Sequence, residues 1–249
     1  MLKFLTKKEL WDSREMGFVP RNPIVYHLKY AQDVAAMRYI GKGSGRVIGE
    51  IGADHSRILP DLSLMGDEVY GIDVYDRSIG GGKTSPPIDP GYKLFNCLIG
   101  YGTRDVIPEE FFDITFSVSV IEHVPNISMF FEDNIRITKL GGLIIHMIDI
   151  YLDDNGIAFQ PTLARECINF FKRDDVAPLE ENLMGLADFR FSTRFATNGD
   201  DMMYQWNHQV PSFKKYSRGI CGVLLNDGGD PSQDIIESVG CDLFSIPKH

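Results

Sequence analysis

The stretch Arg46-Val47-Ile48-Gly49-Glu50-Ile51-Gly52-Ala53-Asp54-His55-Ser56 decides how this chain is read. Its first half, through Ile51, is a short β-rich run; its second half is a turn leading into a brief helix over residues 57–64. A second β-rich run, residues 68–72, follows and ends in Asp73. Two strands joined through one short helix are the beginning of a βαβ unit, which makes the two strands parallel neighbours.

Toward the C-terminus the alternation continues. A third strand is expected over residues 92–99 and a fourth over 114–118, directly after Phe112-Asp113. Asn126 can cap a helix whose apolar residues Ile127, Phe130, Phe131 and Ile135 recur at helical spacing, with Gly141-Gly142 as its stop signal and a fifth strand over 143–150. Beyond 150 the pattern is less regular: a helix near 163–171, then β-like runs at 189–197 and 222–225. These read as an insertion over 151–190, a lid for an acceptor site, plus the last two strands. The expectation is one domain over 1–249 with a doubly wound, mainly parallel, seven-stranded α/β sheet and helices on both faces. Ahead of it, residues 1–44 form a helical cap containing Trp11, Phe18, Tyr26, His27 and Tyr30, helical in pattern from 26 to 40, placed over the active site or on the sheet edge.

Composition narrows the class. With 249 residues, 43% hydrophobic and 24% charged, the chain has enough apolar content for one large core. A formal net charge of −10 repels phosphate backbones and anionic headgroups, so neither nucleic acid nor a membrane is expected as a partner. The basic cluster Lys214, Lys215, Arg218 reads as a solvated loop. Cys97, Cys167, Cys221 and Cys241 are too scattered for a zinc or redox motif and read as reduced thiols. Residues 1–8 reach charge before any apolar stretch of signal-peptide length, which fits a cytoplasmic protein.

In an open α/β sheet, ligands bind outside the carboxyl ends of the strands at the topological switch point, so the residues after the first two strands matter most. A dinucleotide site would carry glycine at position 54, where this chain has Asp. Glu50 and Asp54 beside the turn repel a pyrophosphate but suit a ligand with a cationic amino group and a sulfonium, while Asp73 can accept from ribose hydroxyls. Adenosine joined to an amino acid is favoured over a dinucleotide.

On these residues the chain resembles the class I S-adenosylmethionine-dependent methyltransferases of the small-molecule type. The matching elements are Glu50-x-Gly52, Asp73, the block from Phe112-Asp113-Ile114 through Ser117-x-Ser119-Val120-Ile121-Glu122-His123-Val124, and Leu140-Gly141-Gly142-Leu143-Ile144-Ile145, together spanning about residues 44–150. The resemblance implies a Rossmann-like methyltransferase fold and S-adenosyl-L-methionine as cofactor. It places Glu50 and Gly52, with Ala53 and Asp54, along the methionine part and Asp73 at the ribose. Ser117 to Glu122 line the methyl-transfer side, Ser117 and Ser119 as cofactor contacts.

Two departures stand out: Asp54 replaces the family's second glycine, and Tyr101, after Gly100, stands where the family carries the adenine-binding Asp. Other signals have plain readings. Gly80-Gly81-Gly82-Lys83-Thr84 resembles the end of a phosphate loop, but Arg77 stands at the leading glycine and Pro86-Pro87 block the helix that must follow. Ser119-x-x-Glu122 has capping-box spacing, with Pro125 limiting that helix to one turn. His123 is the candidate general base, since an imidazole titrates near neutrality. Glu122 with His123 is an alternative metal pair, although metal-dependent relatives carry a glutamate at the position of Ser119. His146 and Asp149, three apart in a strand, face opposite ways, and His146 reads as core. Tyr204, Trp206, Asn207 and His208 are a second candidate pocket group.

The function expected is methyl transfer to an O or N atom of a small polar metabolite, a sugar or natural-product-like acceptor included. Alternatives are a protein or peptide methyltransferase, a cofactor-binding non-catalytic subunit of the same fold, and a nicotinamide-dependent oxidoreductase or epimerase that fails on position 54. The acceptor and the oligomeric state, a homodimer included, stay open.

Overall fold

The computed structural model describes residues 2–4, 7–23, 28–76, 85–101, 103–152, 166, 169–170, 173, 176–178 and 216–226. Among the described residues, eight strands form one sheet: β1 (Leu2–Phe4), β2 (Val47–Ile51), β3 (Glu68–Asp73), β4 (Lys93–Asn96), β5 (Phe112–Val118), β6 (Thr138–Leu152), β7 (Val176–Pro178) and β8 (Tyr216–Asn226). Their order is β1-β8-β6-β5-β2-β3-β4, with β7 also paired to β8. The pairs β2·β3, β2·β5, β3·β4 and β5·β6 are parallel, whereas β8 runs antiparallel to β1, β6 and β7. This is the expected doubly wound sheet, in which chain order reverses direction at β2. Seven strands were expected and eight are described, β1 and β7 being strips of three residues.

Each face carries its own core. On one face, Ile48 of β2, Ile114 and Phe116 of β5 and Ile145 and Met147 of β6 pack against α2 (Leu28–Ile40) and α3 (Leu59–Leu64). On the other, Ile72, Phe112, Ile144 and Ile148 pack against Phe130, Phe131 and Ile137 of α4 (Ile127–Ile137). Alternate strand residues feed opposite cores, so the apolar runs of β2, β5 and β6 are buried on both sides. The segment ahead of the first parallel strand also contains α1 (Lys7–Glu15). The helix α2 lies on the sheet, with Val34 and Ala36 fully buried and Ala31 nearly so.

Two sequence expectations shift. Asn126 caps α4 by accepting from the Met129 N–H at 3.1 Å, as its position implied. The helix nevertheless stops at Ile137, four residues before Gly141-Gly142, and β6 runs straight through the glycine pair. Thr138 ends the helix, its hydroxyl folding back onto the Asn134 carbonyl at 2.8 Å. Gly141, at φ +74°, instead absorbs the register shift between β6 and β5. The Ser119–Glu122 capping box does not form: residues Ile121–His123 make a single 3₁₀ turn with no side-chain cap, and Ser119 is turned toward α2.

Residue 222–225 strand character lies within β8. The expected helix at 163–171 falls mostly outside the described residues. The run at 189–197, the Gly80–Thr84 loop, most of the 151–190 insertion, the Tyr204–His208 group and Lys214-Lys215 lie outside them as well.

Candidate functional site

A cleft of about 310 Å³ opens at the carboxyl ends of β2, β3 and β5, where an open α/β sheet binds its ligands. The loop after β2 forms its floor. Gly52 sits at φ +68°, and a Cβ there would lie 2.4 Å from Val120 Cγ2, so the approach of the two loops requires glycine. Asp54 adopts φ +40°, a left-handed conformation that Asp tolerates better than most side chains. Asp54 thus holds a left-handed backbone of the kind glycine favours.

The loop is tied to β3 through Asp73. One carboxylate oxygen of Asp73 accepts from the Asp54 N–H at 2.7 Å and the other from the Val74 N–H at 2.7 Å. Burial raises the Asp73 pKa; those two N–H groups oppose the rise and the Asp54 charge adds to it. The Tyr75 hydroxyl donates to the Asp54 carbonyl at 3.3 Å.

Glu50 is 6% exposed at the end of β2. Its carboxylate accepts from the Ser56 hydroxyl, whose oxygen in turn accepts from the Leu59 N–H at 2.9 Å at the start of α3. Burial pushes the Glu50 pKa up to about 8; the Ser56 bond and the Arg57 charge lower it, whereas Asp33 and Asp73 raise it. Arg57 itself is held bidentately by the fully buried Asp33 of α2, at 2.6 and 2.7 Å.

The expected site residues fall as follows. Glu50, Gly52, Ala53, Asp54, Asp73, Ser119 and His123 all line the cleft. Ser117 does not: it is fully buried on the α4 side of the sheet and shares a 2.8 Å hydrogen bond with His146 Nδ1. Pleat alternation gives the reason, since Ser117 and Ser119 would share a face only in a continuous strand, and Ser119 at φ +55° leaves it. Ser119 donates to Gln32 Oε1 at 3.0 Å. His123 is exposed and lines the cleft, whereas its neighbour Glu122 is not among the lining residues. No three His, Cys, Asp or Glu among the described residues are placed to hold a metal. His146 is core: Phe130 and Phe131 flank its ring at 5.5 and 5.7 Å, and burial pushes its pKa down to about 3.

Sequence reading missed the contribution of α2. Lys29 lines the cleft, Gln32 holds Ser119 and Asp33 holds Arg57. Their i, i+3, i+4 spacing puts them on one helix face, and the signal was Gln32-Asp33 embedded among Ala31, Val34, Ala35 and Ala36. On the opposite wall, Tyr101 stands where the resemblance put adenine recognition, while Cys97, Leu98 and Ile99 of the same loop after β4 were not singled out as site residues. Asp133 of α4 clamps that loop, accepting from the Gly100 N–H at 2.7 Å and from the Thr103 hydroxyl, while Arg136 bridges Asp133 and the Ile107 carbonyl, both at 2.9 Å. Burial pushes the half-buried Cys97 thiol up to about 11.

Residues 49–146 match the family model described as a methyltransferase domain. The chain is similar to the ubiquinone biosynthesis O-methyltransferase of Paramagnetospirillum magneticum, 26% identical over 156 residues that cover 57% of this chain and 58% of that protein. It thus spans little more than half the length of that curated relative. Among solved structures it is similar to the YcgJ protein of Bacillus subtilis (TM-score 0.47, 11% identity, 76% of this chain and 95% of that one). It is also similar to the 1,6-didemethyltoxoflavin-N1-methyltransferase of Burkholderia thailandensis, solved with 1,6-didemethyltoxoflavin and S-adenosylhomocysteine bound (TM-score 0.46, 10% identity, 88% and 84%).

Proposed function

We propose that this chain, whose residues 49–146 match a methyltransferase domain, is a class I S-adenosylmethionine-dependent methyltransferase that transfers the methyl group to an O or N atom of a small polar metabolite. The observation that carries this reading is the joint placement of Glu50, Asp73 and Ser119 on the wall of one cleft at the switch point of the sheet. The ubiquinone-pathway relative, an O-methyltransferase, supports the O-acceptor branch.

The residues present fit the cofactor's chemistry. Glu50 is a buried carboxylate whose nearest guanidinium is already taken by Asp33, so a ligand ammonium supplies the charge that stabilises its ionised form. Lys29 of α2 lines the cleft and is the cation that can receive the ligand carboxylate. Asp73, with each oxygen already accepting one backbone N–H, keeps lone pairs for two ribose hydroxyls. Leu98, Ile99 and Val74 offer apolar surface to a purine.

When bound, the cofactor supplies an electrophilic methyl group on a sulfonium. The chain's own contribution is alignment: the cleft at the strand ends holds the donor in line with the acceptor. His123, exposed and lining the cleft, is the general base of this proposal, taking the proton from a hydroxyl acceptor. We place the protein in the cytoplasm on its scattered cysteines; no helix among the described residues is long and apolar enough to cross a membrane.

The test is isothermal titration with S-adenosylmethionine and S-adenosylhomocysteine, repeated with Asp73→Ala. Micromolar binding to the wild type that is lost in the variant is expected. A folded wild-type protein that binds neither ligand overturns the reading.

A further inference from the structure

We propose that Asp54 is a specificity-determining residue: its carboxylate makes the cleft favour the cationic methyl donor over the neutral thioether left after transfer. The inference rests on the cofactor reading above.

The argument begins with backbone. At φ +40° Asp54 occupies the left-handed region where glycine is the default, and both its backbone polar groups are engaged, the N–H by Asp73 and the carbonyl by Tyr75. The loop therefore has the conformation a glycine would give it. What Asp adds is a side chain with a negative charge, on a wall that already carries Glu50 and Asp73.

Position follows from chemistry. In the donor, the sulfur is bonded on one side to the ribose and on the other to the amino-acid chain. With Asp73 at the ribose and Glu50 at the ammonium, the sulfur lies between them. Asp54 belongs to the loop that leaves β2 just after Glu50, its N–H hydrogen-bonded to Asp73, and it lies within Coulombic reach of Arg57. Donor and product have the same carboxylate, ammonium, ribose and adenine. They differ by one methyl group and one positive charge, so contacts to the shared groups bind both alike, and only a charge felt at the sulfur separates them. Lys29 and Arg57 pull the other way, but Arg57 is neutralised by its bidentate bond to Asp33. His55 stands beside Asp54, its Nε2 4.0 Å from Asp54 Oδ1.

A unit charge several ångströms away in a partly solvated cleft is worth about a 3- to 10-fold difference in affinity. Such a preference lets the product leave while the donor is retained.

The experiment measures dissociation constants for S-adenosylmethionine and S-adenosylhomocysteine on wild type, Asp54→Asn and Asp54→Gly at pH 8. Asn keeps the shape and loses the charge; Gly suits the backbone, so at least one variant keeps the loop. The expected result is a donor-to-product preference that drops about 3- to 10-fold in both variants, with product affinity unchanged or improved. A preference that stays the same in both overturns the assignment, as does an equal loss of affinity for both ligands, which marks a structural role. Failure of the wild type to bind either ligand falls on the cofactor reading instead.

Discussion

Glu50 links cofactor binding to pH. Its carboxyl is enclosed by Ser56, Arg57, Asp33 and Asp73, and burial pushes its pKa from 4.5 up to about 8. The folded-state value is raised, so the stability this group contributes is present below the unfolded pKa and is lost as pH rises through about 8. At pH 7 roughly one molecule in ten has Glu50 ionised, and at pH 6 roughly one in a hundred. A ligand ammonium that requires the ionised form must bring about the loss of that proton. Affinity for S-adenosylhomocysteine should then rise about 50-fold between pH 6 and pH 8 and level off above, with close to one proton released per ligand bound at pH 7. Titration calorimetry in buffers of different ionisation enthalpy reads both quantities. Glu50→Gln, neutral at every pH, should bind more weakly at pH 8 and lose most of the slope. Affinity that is flat from pH 6 to 8 in the wild type, or a slope unchanged in Glu50→Gln, refutes the reasoning.

Three further outcomes follow from the geometry. Gly52→Ala places a Cβ 2.4 Å from Val120 Cγ2 at a left-handed residue and should cost about 1–3 kcal/mol in urea unfolding, with Val120→Ala recovering the steric part but not the backbone part. Asn126→Ala removes the cap that accepts from the Met129 N–H and should cost about 1 kcal/mol, seen as a lower urea midpoint at unchanged m-value. Asp33→Ala leaves Arg57 half-buried without its bidentate partner and should cost about 3–5 kcal/mol; Asp33→Asn, which keeps the shape, should lose less in the same assay.

Much of this was legible in the sequence because parallel α/β sheets write themselves locally. The β-rich runs at 47–51, 68–73 and 112–118 are strands within two residues of where they were read, and Asn126 begins its helix as its side chain dictates. Glu50, Gly52, Asp54 and Asp73 could be read onto the cleft they line because strand ends and the loop after the first strand fall on that side of the sheet by topology alone. Gly141-Gly142 misled because a glycine pair marks a helix stop and a strand bulge equally well, and Thr138 had already ended the helix.

Tertiary structure decided what depends on distance across the chain. Ser117 and Ser119 look equivalent in sequence, yet one is sealed against His146 and the other is turned by its left-handed backbone toward Gln32, 87 residues away. No local pattern states that α2 reaches the cleft, that Asp33 takes the charge of Arg57, or that Asp133 holds the loop after β4. The raised Glu50 pKa is of the same kind. The sequence determined which residues are acidic and which strand ends they occupy; burial and the identity of their neighbours, set only when the two cores close around the sheet, determined what those acids can do.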